Sequence, residues 1–589
     1  MKKGILLIVL IISSFSYAQN DFELAENYFR EGEYEKATAV FKKLYDKSPF
    51  NTAYLQRLIS CYQETNQFTT VEDLLKAKIK SDPSKSYLYV FLGYNYERQQ
   101  QKEIATTYYE KALAEIDKKS NYGGLIATIF KNYTLLDYAI LAYEKAMKKN
   151  TQANYDFRIA QIYGEKGAFE KMFQSYINLI DKNSNYLNTV QRYASRYITN
   201  DAENESNILF RKTLLRKAAS KPKNVWNVLL SWLFAQQKEY DKSFVQEKAL
   251  YQRNGKDLSQ IFSLGKTAFE NKDHEAARQI FSFVIEKSSL HEEKIEANFY
   301  LVNIAVKTKN PEAEELFQQF FKEFGKKKST IKVQVSYADF LTFQKNEPTK
   351  AIAVLEAAFA FSESKFDKAR IKLKLGDVLV FTGKYNKALI YFSQIQTQLK
   401  NHPLAQEARF KVAQTSYFKG DFTWAKAQLK ILKSATTQLI ANDAVALFLT
   451  ITDNEPVDSI PSGLIQYANA DLLSFQNKDQ EAIVVLNEII VNFKGQPIED
   501  EALFKQAGLF IKKKEFKKAI ANFEKVIRLN PEGILIDDAN YKLAELYNNQ
   551  LNNPEKASEY YQKIIFDFAS SIYLVDARKK YRKLRGDQL

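Results

Sequence analysis

Residues 32–49 read GEYEKATAVFKKLYDKSP, an amphipathic helix that closes on a proline. Its apolar positions fall three and four residues apart, so they share one helical face. The same skeleton returns as Gly167, Phe169 and Tyr176, and again as Gly383, Tyr385, Ala388 and Phe392. A pattern that recurs at this distance predicts a repeat array, and the rest of the chain is read outward from it.

The first unit carries Leu24, Ala25, Tyr28, Gly32, Tyr34, Ala37, Phe41, Leu44 and Pro49. A step of 34 residues gives Leu58, Ile59, Tyr62, Phe68, Val71, Leu75 and Pro83. The next two steps give Leu92, Gly93, Tyr96, Ala105, Tyr109 and Ala112, then Ala127, Phe130, Ala139, Tyr143 and Ala146. Each unit reads as two helices, A and B. A small residue stands where they cross, because a large side chain there would push the axes apart. Proline ends helix B by breaking the hydrogen-bond ladder. A single pair cannot bury its apolar faces, so neighbours must stack into a solenoid.

These residues resemble the tetratricopeptide repeat, whose 34-residue unit has small residues at its eighth and twentieth positions. The resemblance covers nearly all of the chain after residue 18. It implies an all-α, right-handed α-α superhelix of about 15 helix-turn-helix repeats. The eighth positions are placed at Ala25, Ile59, Gly93, Ala127, Ala160, Ala194, Ser231, Gly265, Leu301, Asp339, Gly376, Ala413, Ala470, Ala507 and Ala544. Residues 19–330 form an N-terminal array of mostly 34-residue units, and residues 331–589 a C-terminal array of mostly 37-residue units. The extra residues are expected to lengthen the B-to-A connection, as in LKNHPLAQEARF, FKGQPIEDEALF and LNPEGILIDDANY. This part is similar to the extended repeats of envelope-assembly tetratricopeptide proteins. It lacks their lipid anchor and any recognisable trimerisation segment.

An irregular break is expected near 441–463, where TDNEPVDSIPSG (452–463) reads as a loop: a hinge, a contact site or a harmless insertion. The chain ends in DARKKYRKLRGDQL, a basic helix suited to capping the last repeat.

The start, MKKGILLIVLIISSFSYAQN, has the charged, apolar and small-residue regions of a secretory signal peptide over residues 1–18. It predicts export, with the mature chain beginning near Gln19. The Lys, Ile, Asn, Tyr and Phe bias suggests an AT-rich bacterial source. Cys61 is the sole cysteine, so no internal disulfide framework exists, and a buried structural thiol is expected. Formal charge is +15. In an exported chain that excess points to acidic proteins or anionic envelope polymers rather than nucleic acid.

Catalytic signatures are absent. His274, His291 and His402 stand outside any metal-ligand spacing, and there is no paired cysteine motif or nucleophile elbow. Ser-Leu-Gly-Lys-Thr (263–267) lacks the upstream glycine of a phosphate loop, because residue 260 is Gln. A non-enzymatic chain without metal or cofactor is expected.

By resemblance, partners bind the surface lined by A helices, at repeat positions 5, 9, 12 and 13. In the third unit these include Tyr94 and Arg98; in the fifth, Gln161. Position 6 is basic in seven units: Arg57, Arg158, Arg192, Lys374, Lys411, Lys505 and Lys542. These could form a broken cationic stripe, or simply be exposed lysines and arginines of a basic chain. The expected role is a protein-interaction scaffold in the bacterial envelope. Its partners would be envelope or outer-membrane proteins, with peripheral association to the membrane surface. The alternative is a binder of anionic glycan, lipopolysaccharide or lipid headgroups through the stripe.

Overall fold

A computed structural model describes residues 21–255, 257–432, 438–456 and 462–587. The signal-peptide assignment and the centre of the 452–463 loop lie outside the described residues. Every regular element among the described residues is helical. Helices alternate A, B, A, B, and the two helices of a repeat pack on one another in most repeats, as Tyr89–Arg98 does on Lys102–Lys118.

Two compact units divide between Gln237 and Lys238. The change in repeat length does not coincide with this division. In the first unit one core runs from Ala25 to Ile162 and another from Ala160 to Phe234. In the second unit successive cores run from Ile295 to Val378, from Ala369 to Val412, and from Ala413 to Ala577. Cys61 lies fully inside the first core, where burial pushes its thiol up to about 11.

The small eighth position does what its register demands. A Cβ on Gly93 would stand 2.3 Å from the Tyr109 ring, and one on Gly376 would stand 2.3 Å from Phe392. In both pairs the ring belongs to the residue 16 positions on, in helix B. The same register pairs Ala25 with Phe41 and Ile59 with Leu75, all buried. Bulk on helix A is therefore traded against bulk on helix B at constant volume. Gly265 obeys the rule, lying in helix Ser259–Glu270 against Ile280 and Phe281. The Gly-Lys-Thr segment is thus a helix interior and not a phosphate loop.

The turn between A and B carries a second signal, hidden in the sequence. A residue with left-handed backbone occurs at Gly32, Asn66, Gln100, Thr134 and Gly167 in the first unit. In the second unit it occurs at Lys238, Lys272, Lys309, Asn346, Gly383, Gly420, Asn477, Lys514 and Asn552. At most of these turns the following N–H donates to the carbonyl five residues back, as Gln67 does to Tyr62 (2.8 Å) and Lys384 to Leu379 (2.7 Å); after Asn346 and Asn552 it reaches six back, to Leu341 (2.8 Å) and Tyr547 (2.9 Å). This is the Schellman closure of helix A.

That turn corrects two expectations. Turns at 272, 309, 346 and 383 are 37 residues apart, so the longer repeat begins at the Gly265 unit and not at residue 331. The eighth position there is Val302, 2% exposed, and not Leu301, whose side chain is half-buried. The added residues also lengthen helix A in most of these units. A helices of 10 residues, such as Tyr89–Arg98 and Gly123–Asn132, become 17 in His291–Lys307 and Lys365–Phe381 and 16 in Pro403–Phe418 and Pro497–Lys512. Pro403 and Pro497 occupy the first turn, where a missing N–H costs nothing.

The break is helical over Gln438–Asp453 and non-helical at 454–456 and 462–463, and the next A helix is Leu464–Phe475. The last helix, Leu574–Arg585, buries Ala577 and lays Tyr581 and Leu584 on the core.

Candidate functional site

Three arrangements bear on where a partner could bind. The first accounts for the cations at position 6. Arg57 pairs with Glu26, Lys411 with Asp377 (3.0 Å) and Lys505 with Asp471. In each case the acid is position 9 of the preceding repeat. Lys374 sits between Asp339, at position 8 of the preceding repeat, and Asp377 of its own (3.3 Å). Asp377 is buried, which alone would raise its pKa; the ammonium groups of Lys411 and Lys374 outweigh that and hold it below the usual range.

Where the preceding repeat carries no acid at position 8 or 9, the pairing fails. Arg158 faces a repeat with Thr128 there, Arg192 one with Gln161, and Lys542 one with Gly508. These three side chains are exposed and enter no ion pair among the described residues. Arg192 lies over the Tyr193 ring at 5.3 Å. The seven cations therefore do not form one accessible stripe. Four are struts between repeats, and three are separate.

The partner positions of the third unit are also occupied from within. Arg98 grips Glu64 of the preceding repeat through both terminal nitrogens, at 2.8 and 3.3 Å. Tyr94 stacks on Tyr133 with ring centroids 3.9 Å apart. Gln161 remains half-buried at its surface position.

The second arrangement lies in the second unit, at the C-terminal ends of its A helices. Phe343 meets Phe381 at 5.4 Å and Phe475 at 5.3 Å, while Phe418 meets Phe475 at 5.9 Å. Gln476 Nε2 donates to the Phe381 carbonyl and Asn477 Nδ2 to that of Phe343, both at 2.8 Å. These contacts span 95 and 134 residues. They join helix Leu464–Phe475 to Ile331–Phe343, a repeat far behind it. The aromatic residues occupy repeat positions 12 and 13, so in this section the expected partner surface is filled by the chain itself.

The third arrangement is a cleft of about 430 Å³ beside the break. Asp453 and Asn454 line it from the end of Gln438–Asp453, and Asp500 and Glu501 from the N-terminal part of Pro497–Lys512. The connection after Phe516–Leu529 contributes Glu532 and Ile534. Three acids follow one another at 499–501 and meet different surroundings. Glu499 is compensated by Lys525 (2.8 Å) and by the Gly495 N–H (2.7 Å). Asp500 is raised, first by burial, with the Asn530 amide working the other way. Glu501 is pushed up to about 7 by burial and then by Asp471, Asp453 and Asp500. Lys505 opposes this, but its ammonium is already ion-paired with Asp471. Among the described residues Asp453, Asp500 and Glu501 enter no ion pair, and they face one concavity. Sequence reasoning placed a contact site at this break as one of three alternatives but did not connect the acids at 499–501 with it. Their signal was the run Glu499-Asp500-Glu501, which the favourable placement of acids in a first helical turn was enough to explain.

Comparison with known proteins gives the array a family likeness. Residues 500–532 and 538–571 each match the tetratricopeptide repeat family. The matched segments are the pairs Pro497–Lys512 with Phe516–Leu529 and Ile536–Asn549 with Pro554–Asp567. No curated protein matches the chain. Among solved structures it is similar to yeast Tom70 at 12% identity and a TM-score of 0.31, covering 74% of this chain and 96% of that one. It is similar to Naa15/Naa10 bound to HypK-THB at 11% identity and a TM-score of 0.28, covering 97% of each. A third likeness is to the APC/C hetero-tetramer Cut9-Hcn1, at 13% identity and a TM-score of 0.27, covering 90% and 98%.

Proposed function

We propose that this solenoid is an exported, non-enzymatic scaffold of a bacterial cell envelope, docking protein partners that serve outer-membrane biogenesis or secretion assemblies. The observation that carries the coarser part is the array of tetratricopeptide repeats, which is a protein-interaction architecture. Export rests on the residue pattern of positions 1–18, with the periplasm as the destination. Docking falls to the A-helix face of the first unit, where Arg158, Gln161 and Arg192 enter no ion pair among the described residues, and to the cleft beside the break. Binding of an anionic polymer along a continuous stripe is disfavoured, because Arg57, Lys374, Lys411 and Lys505 spend their charge on neighbouring repeats.

The test is crosslinking in living source cells, followed by affinity purification of the tagged chain and mass spectrometry. The expected result is a defined set of outer-membrane or secretion proteins. Retention of glycan or lipopolysaccharide with no protein above background would replace this reading by the polymer one.

A further inference from the structure

The cleft groups four acids of this chain, Asp453, Asp500, Glu501 and Glu532. Along the repeats, carboxylates such as Glu26, Asp377 and Glu499 each meet a lysine or arginine of this chain. At the cleft, Glu501 instead has Asp471, Asp453 and Asp500 in its surroundings. A second observation is independent of charge. Asn454, 3% exposed, lines the cleft. Its Nδ2 donates to the Thr450 carbonyl (2.9 Å), and its buried Oδ1 accepts no hydrogen bond among the described residues. A buried amide oxygen without a donor is costly, and its presence beside a polar cavity marks a place for an incoming donor. Acceptors therefore come from two sides: Asp453 and Asn454 at the end of one helix, and Glu501 on Pro497–Lys512. No group of three or more His, Cys, Asp or Glu among the described residues is arranged to hold a metal ion. A primary ammonium fits the requirement instead, because it offers three donors and a positive charge and needs no fixed coordination sphere.

We propose that the cleft between Asp453, Asn454 and Glu501 binds a primary ammonium group, presented by a lysine side chain of a partner polypeptide. This rests on the scaffold reading and gives it one contact of stated chemistry. The roughly 430 Å³ accommodates the four-carbon stem, and Pro497, Val526 and Ile534 provide apolar wall for it. The rest of the molecule sharpens the selectivity. A chain of net charge +15 repels basic peptides in general, so retention of one requires a local site.

The experiment uses the full chain and a fluorescein-labelled Gly-Ser-Lys-Ser-Gly peptide, its norleucine counterpart, and spermidine as a competitor. Saturable binding of the lysine peptide, loss of binding with norleucine, and weakening by at least about tenfold in both Glu501→Gln and Asp453→Asn are expected. Glu72→Gln, which removes an acid far along the chain, should bind as the unaltered protein does. Circular dichroism of each variant should retain its helical signal. Asn454→Leu gives a second, uncharged arm and should also weaken binding. Equal binding of the lysine and norleucine peptides, or undiminished binding in Glu501→Gln, would overturn the proposal. Spermidine binding without peptide binding would overturn the polypeptide source. Failure of the peptide while crosslinked partners are still recovered would sink the cleft and leave the scaffold standing.

Discussion

At the scale of single residues, two positions carry opposite kinds of tension. Gly376 has no room, since any Cβ meets Phe392 at 2.3 Å. Gly376→Ala should cost about 1–3 kcal/mol through overpacking. Combined with Phe392→Leu, the alanine should cost less than in isolation, with a coupling of about 1 kcal/mol or more. The pair would then resemble Ile59 and Leu75, which fill the same register differently. A double-mutant cycle read by amide hydrogen exchange in Lys365–Phe381 checks this, and strict additivity would contradict it. Glu501 has room but lacks a counter-charge. Its native carboxyl holds a proton up to about pH 7, whereas the unfolded chain releases it near pH 4.3. Between those values the native state binds more protons, so its stability falls as pH rises; the full cost is present above about 7. Glu501→Gln should therefore stabilise the surrounding repeats by about 1–3 kcal/mol at pH 8 and by little at pH 4. An effect independent of pH would remove burial as the cause.

At the scale of the helix and its turn, what could be read from the sequence depends on whether packing or backbone carries the signal. The apolar stripes and the small eighth position were legible because they are side-chain requirements that few residue types satisfy. The left-handed turn was not, because only some copies spend a glycine on it. Gly32, Gly167, Gly383 and Gly420 do, while Asn66, Gln100, Thr134, Lys309 and Lys514 adopt the same backbone with a Cβ in place. The one-residue misplacement at Leu301 followed from that, since side chains alone fixed the register there. The position-6 cations were visible, but their partners were not. Pairing depends on an acid at position 8 or 9 of the repeat before, as the contrast of Asp377 with Thr128 shows. The turn makes its own forecast. Thr134 is β-branched and sits at φ 61°, a conformation that strains it and suits glycine. Thr134→Gly should stabilise the fourth repeat by about 0.5–1 kcal/mol, against the usual sign of a substitution to glycine. Slower exchange of the amides in Leu136–Lys149 would show it; faster exchange would mean that the entropy of the glycine outweighs the relieved strain.

At the scale of the whole molecule, a repeat array is expected to hold together through nearest neighbours, so that damage stays local. The first unit fits this expectation, since the inter-repeat struts that serve it, such as Arg98 to Glu64, link adjacent repeats. In the second unit, Phe343, Phe381 and Phe475 join repeats well separated in sequence, and Asn477 and Gln476 fasten them with hydrogen bonds to backbone carbonyls. Such contacts make the intervening repeats a single cooperative block, because none can open without releasing the clasp. A lesion inside the block tests this. Gly376→Trp cannot be accommodated beside Phe392, and it should remove exchange protection from Ile331 to Phe475 together while Tyr89–Lys182 stays protected. Loss confined to Lys365–Phe381 and its immediate neighbours would show that the clasp contributes nothing to cooperativity. The decisive arm places the same lesion in a chain already carrying Phe475→Ala and Asn477→Ala. With the clasp cut, nearest-neighbour coupling is all that remains, and the deprotected stretch should shrink to the repeats that touch residue 376. If it stays as wide as before, the cooperativity resides in the helix-to-helix cores and the aromatic contacts are a consequence of it.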